Sequence, residues 1–577
     1  MKYVGPAWLV AVIAWVTLQL RRNGCEEWHD LRRFILFWPF LVLLGLISAA
    51  AILYPPTTFD SLAYRLPRIF IWLQENKVMH VPVSDERLNY LAHNWELFAL
   101  PWVADLGGRA AGTQNIAAWL VLYLACISLS KRYCGNFGLQ QWVALLGVVG
   151  FFPVLQASGT ANDLFAVVFV VLSAWFFLQG RDRQSAADFV WSGLSLALAA
   201  GTKPNFSVLA LFWLLGLMVC YPWREKWAGL LLRGGLVLPL ALLVSPLPTF
   251  VLNYANYKKV MGPIEGSEMA MGTPLEKIQA AILMTAWGNL QPPVNPLARK
   301  WNSTFEKLGE NWSLRQNAPK FNLVASEVPI VDSAAQGMVA TLAWLAGVVL
   351  AVRFRRVIRP EVWLMAAAGL TGLLLASSSV IASTMARSFM GFVYLSLPLA
   401  MAGLSYGPER IVKILVSAAV LTSCLVMVLT PGKPMWPSRA VLAWLETHRP
   451  SDASTAMLAR YVVFRERNIA GSDLVQLVPA DATIVAVMGG GEPLLQLWQP
   501  YDSKRRVLFL QPGENLESER IAGAEYVLVG GIGYELHEQA INELKSGKTH
   551  YSKVASQQYT SQLQKGPREW SLFKKTD

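Results

Sequence analysis

Roughly a dozen apolar runs, each about 15 to 25 residues long, settle what this chain can fold into before any motif is considered. They occupy 4–20, 34–53, 115–129, 142–155, 164–178, 189–200, 206–221, 228–250, 338–352, 362–381, 389–404 and 411–429. A helical run of that length satisfies its own backbone N–H and C=O groups, which is what a segment needs to cross a bilayer. The balance of the whole chain agrees: 577 residues, 54% hydrophobic, 15% charged, with a mean hydropathy of +0.37. Soluble globular chains of this size do not carry that balance. The sequence therefore predicts a polytopic α-helical membrane protein of about twelve transmembrane helices.

Lysine and arginine are retained on the cytoplasmic side of short loops, and here every second loop is basic. Arg21, Arg22, Arg32 and Arg33 follow the first run; Lys131 with Arg132, Arg181 with Arg183, and Arg224, Lys226 and Arg233 mark the next three such loops. Arg353, Arg355, Arg356 and Arg359, then Arg410 and Lys413, complete the series. The intervening loops carry almost none, with Lys203 and Arg387 as exceptions. This pattern predicts a multi-pass protein of the plasma (inner) membrane. The first run, behind Lys2, has no small-residue cleavage site and meets Arg21 at once, so it reads as a retained helix with its N-terminus outside.

The formal charge of +12 and the pI near 9.4 arise largely from these inner-face cations. They imply membrane lipids with anionic headgroups as partners, not nucleic acid. Of the five cysteines, Cys25 and Cys134 fall in inner loops and Cys126, Cys220 and Cys424 in or at the ends of runs. Neither a disulfide framework nor a zinc-type spacing follows.

Three segments lie on the outer side: 54–114, 253–337 and everything past 430. In the first, 69–74 and 95–103 mix Trp, Leu and charge as helices lying in the interface do, whether for function or as an anchoring collar. The second is rich in Asn, Pro, Trp and Gly, as in Trp287-Gly288-Asn289-Leu290-Gln291-Pro292, which suits stacking and hydrogen bonding to sugars or a plain connection. Past Pro431 the composition turns globular, with strand-like runs at 482–488, 506–510 and 526–529 among helical patterns at 439–446 and 534–544. Residues 1–430 therefore read as a transmembrane domain and 431–577 as a small extracytoplasmic α/β domain. The runs Gly489-Gly490-Gly491-Glu492 and Gly530-Gly531-Ile532-Gly533 follow strands but miss GxGxxG, and read as turns rather than nucleotide loops.

Four charged residues, far apart in sequence, share one membrane depth on that outer side. Asp60 stands in Pro55-Pro56-Thr57-Thr58-Phe59-Asp60-Ser61-Leu62-Ala63-Tyr64-Arg65-Leu66-Pro67-Arg68, and Asp163 ends Ser158-Gly159-Thr160-Ala161-Asn162-Asp163. Lys203 lies in Gly201-Thr202-Lys203-Pro204 and Arg387 in Ser383-Thr384-Met385-Ala386-Arg387. A carboxylate at the lip of a membrane span is costly to desolvate and is a functional candidate by default.

Two acids and two bases at one interface suit transfer of a sugar from a lipid phosphate. The acceptor hydroxyl is a weak nucleophile and needs a positioned base, which a carboxylate supplies. Cations fixed near the leaving phosphate stabilise the charge that grows as the glycosidic bond breaks, Arg through a bidentate fork and Lys as a compact charge. Attack opposite that phosphate would invert the anomeric centre. The expected site is Asp60 as general base and Asp163 as a second catalytic carboxylate orienting the acceptor or the base, Lys203, Arg387, Arg65 and Arg68 on the donor phosphate, and Tyr64 and Asn162 positioning substrate. Plainer alternatives stand beside these: Asp60 and Asp163 as helix N-caps, and the cations as snorkelling side chains or lipid contacts. His80 and His93 are single interfacial histidines without a metal-ligand partner, so no metal site is expected.

The stretch Phe59 to Arg68 followed by Trp72-Leu73-Gln74 resembles the first outer-loop signature of the GT-C integral membrane glycosyltransferases, in the branch related to dolichyl-phosphate-mannose protein mannosyltransferases. Gln156 to Asp163 and Gly201 to Pro204 resemble that family's next two motifs, in the same order and at similar spacing. The likeness covers 54–221; later spans and the tail match in layout only. It implies a polyprenyl-phosphate-linked monosaccharide as donor, a glycan, lipid or protein as acceptor, an inverting reaction on the outer face, and Asp60 as base. A divalent metal is compatible with it but not required. The chain departs from the pattern at Arg65, where many relatives carry His, so a permanent cation replaces a titratable imidazole.

Two other readings fit a polytopic basic chain. A flippase or transporter of lipid-linked glycans would place charges near mid-membrane and show inverted repeats, whereas these runs are nearly free of charge. An O-antigen ligase or polymerase would use a large outer loop such as 253–337, but its motif order does not match the residues around Asp60.

Overall fold

The computed structural model describes residues 28–577 except 79, 82, 84, 222, 264–272, 294–299, 302, 305–306, 308–328, 379–384, 449–455, 470, 490–491, 500–504, 512, 531–537, 547–548, 560–566 and 577. The first apolar run and the glycines at 490, 491, 531 and 533 lie outside the described residues. Among those described, five helices are long and apolar enough to cross a membrane: Gly108–Tyr133, Asn162–Arg183, Trp227–Val244, Pro360–Ser377 and Glu409–Leu429. Four shorter apolar helices accompany them, at Trp38–Leu53, Pro204–Cys220, Met338–Arg353 and Met390–Leu404.

A tight helical hairpin forms the centre. Asn162–Arg183 ends where Gln184 takes the left-handed conformation, and Ser185 starts Ala186–Thr202 by accepting the Asp188 N–H at 3.4 Å. Gly180 lets the two helices close up, since a Cβ there would lie 2.9 Å from the Phe189 ring. With so short a turn the helices run back antiparallel, which brings their far ends, Asp163 and Lys203, level with each other. The Asn162–Arg183 helix is buried on nearly every side, whereas Trp223–Val244 turns Leu231, Leu232, Leu236 and Leu243 outward. That outward face suits lipid as solvent.

Backbones approach closely elsewhere too. A Cβ on Gly403 would fall 1.8 Å from the Gly347 carbonyl oxygen, so Met338–Arg353 and Leu397–Leu404 cross through small residues, as membrane helices do. The run expected over 142–155 is instead two short helices, Phe137–Leu145 and Phe151–Ala157. The break falls at Gly150, whose φ of 118° favours glycine. There the Phe151 and Phe152 N–H groups bond to Gln336 and Ala335 oxygens at 3.1 and 2.8 Å instead of continuing a helix.

Charges segregate to the two ends of the bundle. At one end Asp182 forms an ion pair with Arg132 at 2.6 Å and accepts from Arg359 at 2.7 Å, and Glu361 pairs with Arg181. These are residues of the loops the sequence places inside. Asp60, Asp163, Lys203 and Arg387 gather at the other.

Past residue 430 the chain builds a five-stranded sheet in the order β2-β1-β3-β5-β4, from β1 (Thr483–Val487), β2 (Arg506–Phe509), β3 (Tyr526–Gly530), β4 (Tyr551–Tyr559) and β5 (Arg568–Lys575). β1 pairs in parallel with β2 and β3, and β5 runs antiparallel to both β3 and β4. The three apolar strands were legible in the sequence; β4 and β5 were not. β4 is polar over most of its length and almost wholly exposed between Tyr551 and Tyr559, so it lacks the alternation that marks a half-buried strand.

This region is docked on the segment 54–114, in the helix Leu66–Glu75. The Gln74 amide donates to Val507 O at 3.1 Å and accepts from Val507 N–H at 2.9 Å, occupying the open edge of β2. Phe70 stacks on Trp498 with ring centres 5.5 Å apart. Lys433, buried in the connection, donates to the Ser158 carbonyl, and Thr430 bonds Pro329 O at 3.1 Å. Burial lowers the Lys433 ammonium to about 7.

Candidate active site

Asp60 precedes a π-helical turn, Ser61–Arg65, in which the Leu66 N–H reaches back five residues to Ser61 O. Such turns recur at functional sites. The widened turn swings Arg65 beneath Asp60, with Arg65 Nη2 at 3.2 Å from Asp60 Oδ2. Residues five apart would not face each other so in a regular α-helix. Asn162 Oδ1 at 2.9 Å, Thr160 O at 3.3 Å and Tyr64 Oη at 3.3 Å also accept from Arg65. A chain of hydroxyls from Thr58 through Ser61 to Thr160 ties the turn to the second motif.

Arg387 stands at the centre of the cluster and divides its nitrogens among three acids. Nε faces Asp163 Oδ2 at 3.2 Å, Nη2 faces Asp60 Oδ2 at 3.4 Å, and Nη1 faces Asp332 Oδ1 at 3.7 Å. On its far side Asp163 pairs with Lys203 through Oδ1 and accepts from Gln156 Nε2 at 3.1 Å. The geometry separates the alternatives left open by the sequence. Asp60 occupies an N-cap position, yet its carboxylate makes no capping bond. Asp163 lies inside the first helical turn, past the cap residue Ala161. Lys203 and Arg387 reach inward to carboxylates, with side chains 17% and 7% exposed.

Arg65 and Arg68, expected on the donor phosphate, are buried to within 1%. Arg65 braces Asp60 from below. Arg68 is not brought to the cluster: it pairs with the buried Glu96 at 3.5 Å and donates to Arg87 O at 2.7 Å. Tyr64 and Asn162, expected to position substrate, both hold Arg65. His93 meets the Thr249 hydroxyl at 3.1 Å, away from the acids.

Burial pushes the Asp60 carboxyl up, but Arg65, Arg387, Arg87 and Lys203 together pull it further down, so it stays below the usual aspartate value. Asp332 behaves oppositely. Burial dominates, Arg387 and Arg467 offset it only in part, and Asp60 adds repulsion, so its carboxyl titrates above the usual value.

The structure adds two residues that sequence reasoning missed. Asp332 lies just before the helix that starts at Met338, so the rule that singled out Asp60, an acid beside the outer end of a span, applied to it as well. Arg467, in the helix Ala456–Ile469, sits with its guanidinium 5.3 Å from the Phe59 ring centre, next to Asp60. Nothing in its local sequence marked it.

No protein-family model matches the chain, and no curated protein matches it. Among solved structures it is similar to ArnT from Cupriavidus metallidurans in the apo state, 13% identical, covering 93% of this chain and 97% of that chain, with a TM-score of 0.49. The same protein bound to undecaprenyl phosphate gives 12% identity, 93% and 97% coverage and a TM-score of 0.46. The oligosaccharyltransferase of Archaeoglobus fulgidus in the apo form gives 14%, 91%, 74% and 0.40. At these scores what the site does rests on its own geometry.

Proposed function

We propose that the chain is an inverting membrane glycosyltransferase of the GT-C kind, moving a monosaccharide from a polyprenyl phosphate to an acceptor hydroxyl on the extracytoplasmic face, with Asp60 as general base. One observation carries the reading: Asp60, Asp163, Lys203 and Arg387 come from four separate segments and meet in a single ion-pair cluster at the end of the bundle opposite the arginine-rich loops. In this reading 1–430 form the membrane transferase and 431–577 an outer domain seated over it.

Lys203 and Arg387 hold the donor phosphate and stabilise it as it leaves, since its charge rises along the reaction. Arg387 shares its donors among three carboxylates, so an arriving phosphate competes directly with Asp60 for that cation. Losing part of its counter-charge, and gaining an anionic neighbour, Asp60 becomes more basic once the donor is bound. The base is thereby strengthened at the step that needs it, when an acceptor hydroxyl approaches opposite the phosphate. Arg65 keeps the carboxylate aimed throughout.

The test is Asp60→Asn, which preserves shape and removes the charge. Purified variant should still bind undecaprenyl phosphate while transfer falls by about a hundred- to ten-thousand-fold, the usual share of general base catalysis. Undiminished turnover would remove Asp60 from the chemistry.

A further inference from the structure

The ion pairs of the cluster form a row. Lys203 pairs with Asp163, Asp163 with Arg387, and Arg387 with Asp60 and Asp332 on its two remaining nitrogens. Among the described residues a further cation, Arg467, approaches this row from the region after residue 430. It lies within electrostatic reach of Asp332, Asp60 and Glu492. Its guanidinium packs between two rings, Phe59 and Phe464, at 5.3 Å from each centre. Its carbonyl accepts from Gln496 Nε2 at 3.0 Å.

The platform beneath it is rigid. Gln496 and Trp498 belong to the buried turn Leu494–Trp498, and Arg505 fastens that turn through Leu497 O at 3.1 Å and Gln499 O at 3.0 Å. The same turn carries the Trp498 stack on Phe70, one helix beyond Asp60. Arg467 is thus delivered to the edge of the cluster by the backbone contact with Gln496 together with the packing of its side chain on the two rings.

We infer that Arg467 is a positioning residue, which neutralises Asp332 from the C-terminal side and so leaves Arg387 able to turn its guanidinium to the donor phosphate. The inference rests on the function proposed above. Without Arg467, Asp332 is left to the Arg387 Nη1 that it already faces at 3.7 Å, and it competes with the phosphate for that same edge. The two ends of the chain are in this way joined electrostatically: the C-terminal region sets how much of Arg387 a substrate can claim.

The measurement is binding of undecaprenyl phosphate to the full-length protein in nanodiscs. Arg467→Met keeps an unbranched apolar stem between the two rings and should weaken binding by about tenfold, within the usual range of coupling between sites. Arg467→Lys should bind close to wild type, because a cation remains. Adding Asp332→Asn to Arg467→Met should restore most of the lost affinity, since the unopposed acid is then gone. A merely structural role for Arg467 predicts the reverse: equal loss in the Met and Lys variants, and no rescue by the second change. Either result overturns the inference, as does unchanged binding by Arg467→Met. Wild-type protein that fails to bind undecaprenyl phosphate at all sinks the donor assignment itself, a distinct outcome.

Discussion

At the scale of single residues the cluster separates charges that hold the site from charges free to respond to a substrate. Arg65 donates to four protein oxygens and has nowhere else to go, whereas Arg387 is stretched over three acids at 3.2 to 3.7 Å. In the function proposed above, these weaker contacts are the ones a donor phosphate would displace. A pH prediction follows from the sign of the Asp60 shift. Its carboxyl lies below the usual aspartate value in the free protein, so it is ionised at any higher pH and protonates only as pH falls through that lowered value. The acid limb of kcat/KM, which reports the free enzyme, should therefore fall below the ordinary aspartate range, and the acid limb of kcat should lie at higher pH because bound donor shares the cations. Coincident limbs would mean that donor and Asp60 do not compete for Arg387. Membrane depth made Asp60, Asp163, Lys203 and Arg387 legible in the sequence. The direction of Arg68 was not, because the π turn resets which side of the helix each arginine faces.

Among elements, the hairpin 162–202 is what brings acid and base level, and its outer end depends on one glycine. A Cβ on Gly201 would fall 2.0 Å from the Val244 carbonyl oxygen and 2.3 Å from Asn94 Nδ2, which themselves hydrogen-bond at 2.5 Å. Two residues later stands Lys203. Gly201→Ala should cost about 1 to 3 kcal/mol through forced backbone movement and displace Lys203, seen as a lower thermal midpoint together with weaker transfer. Gly229→Ala is the control, because a Cβ there meets nothing within 4 Å. Equal behaviour of the two variants would show that the close approach at Gly201 is not needed. The resemblance of Gly201 to Pro204 to a known motif pointed to this place, but the reason for the glycine is a contact with residues 94 and 244, which lie far away in the chain.

For the whole molecule the decisive feature is the seating of the C-terminal region on the helix Leu66–Glu75. Trp498 is almost completely buried and joins the two through Phe70. Trp498→Ala removes the largest side chain of that contact, a change that costs about 3 to 5 kcal/mol in a packed core. The expected result is that limited proteolysis after residue 430 frees a C-terminal fragment from the variant under conditions that leave the wild-type chain whole, and that transfer declines as Arg467 leaves the cluster. An unchanged digestion pattern would assign the docking to Gln74 and Lys433 instead. The sequence marked three of the five strands and the start of this region, yet nothing in it said that the region would cover Asp60.

The sequence alone determined the class of molecule, most of the described helical runs, the charged ends and the four residues that meet in the cluster, because a bilayer imposes length, apolarity and charge bias locally along the chain. Tertiary structure decided the rest. Which nitrogen of Arg387 meets which acid, that Asp332 joins them, that Arg68 turns to Glu96, and that Arg467 arrives from the far end of the chain are all contacts between distant segments. Pairings of that kind are set by packing and desolvation in three dimensions and leave no periodicity to read.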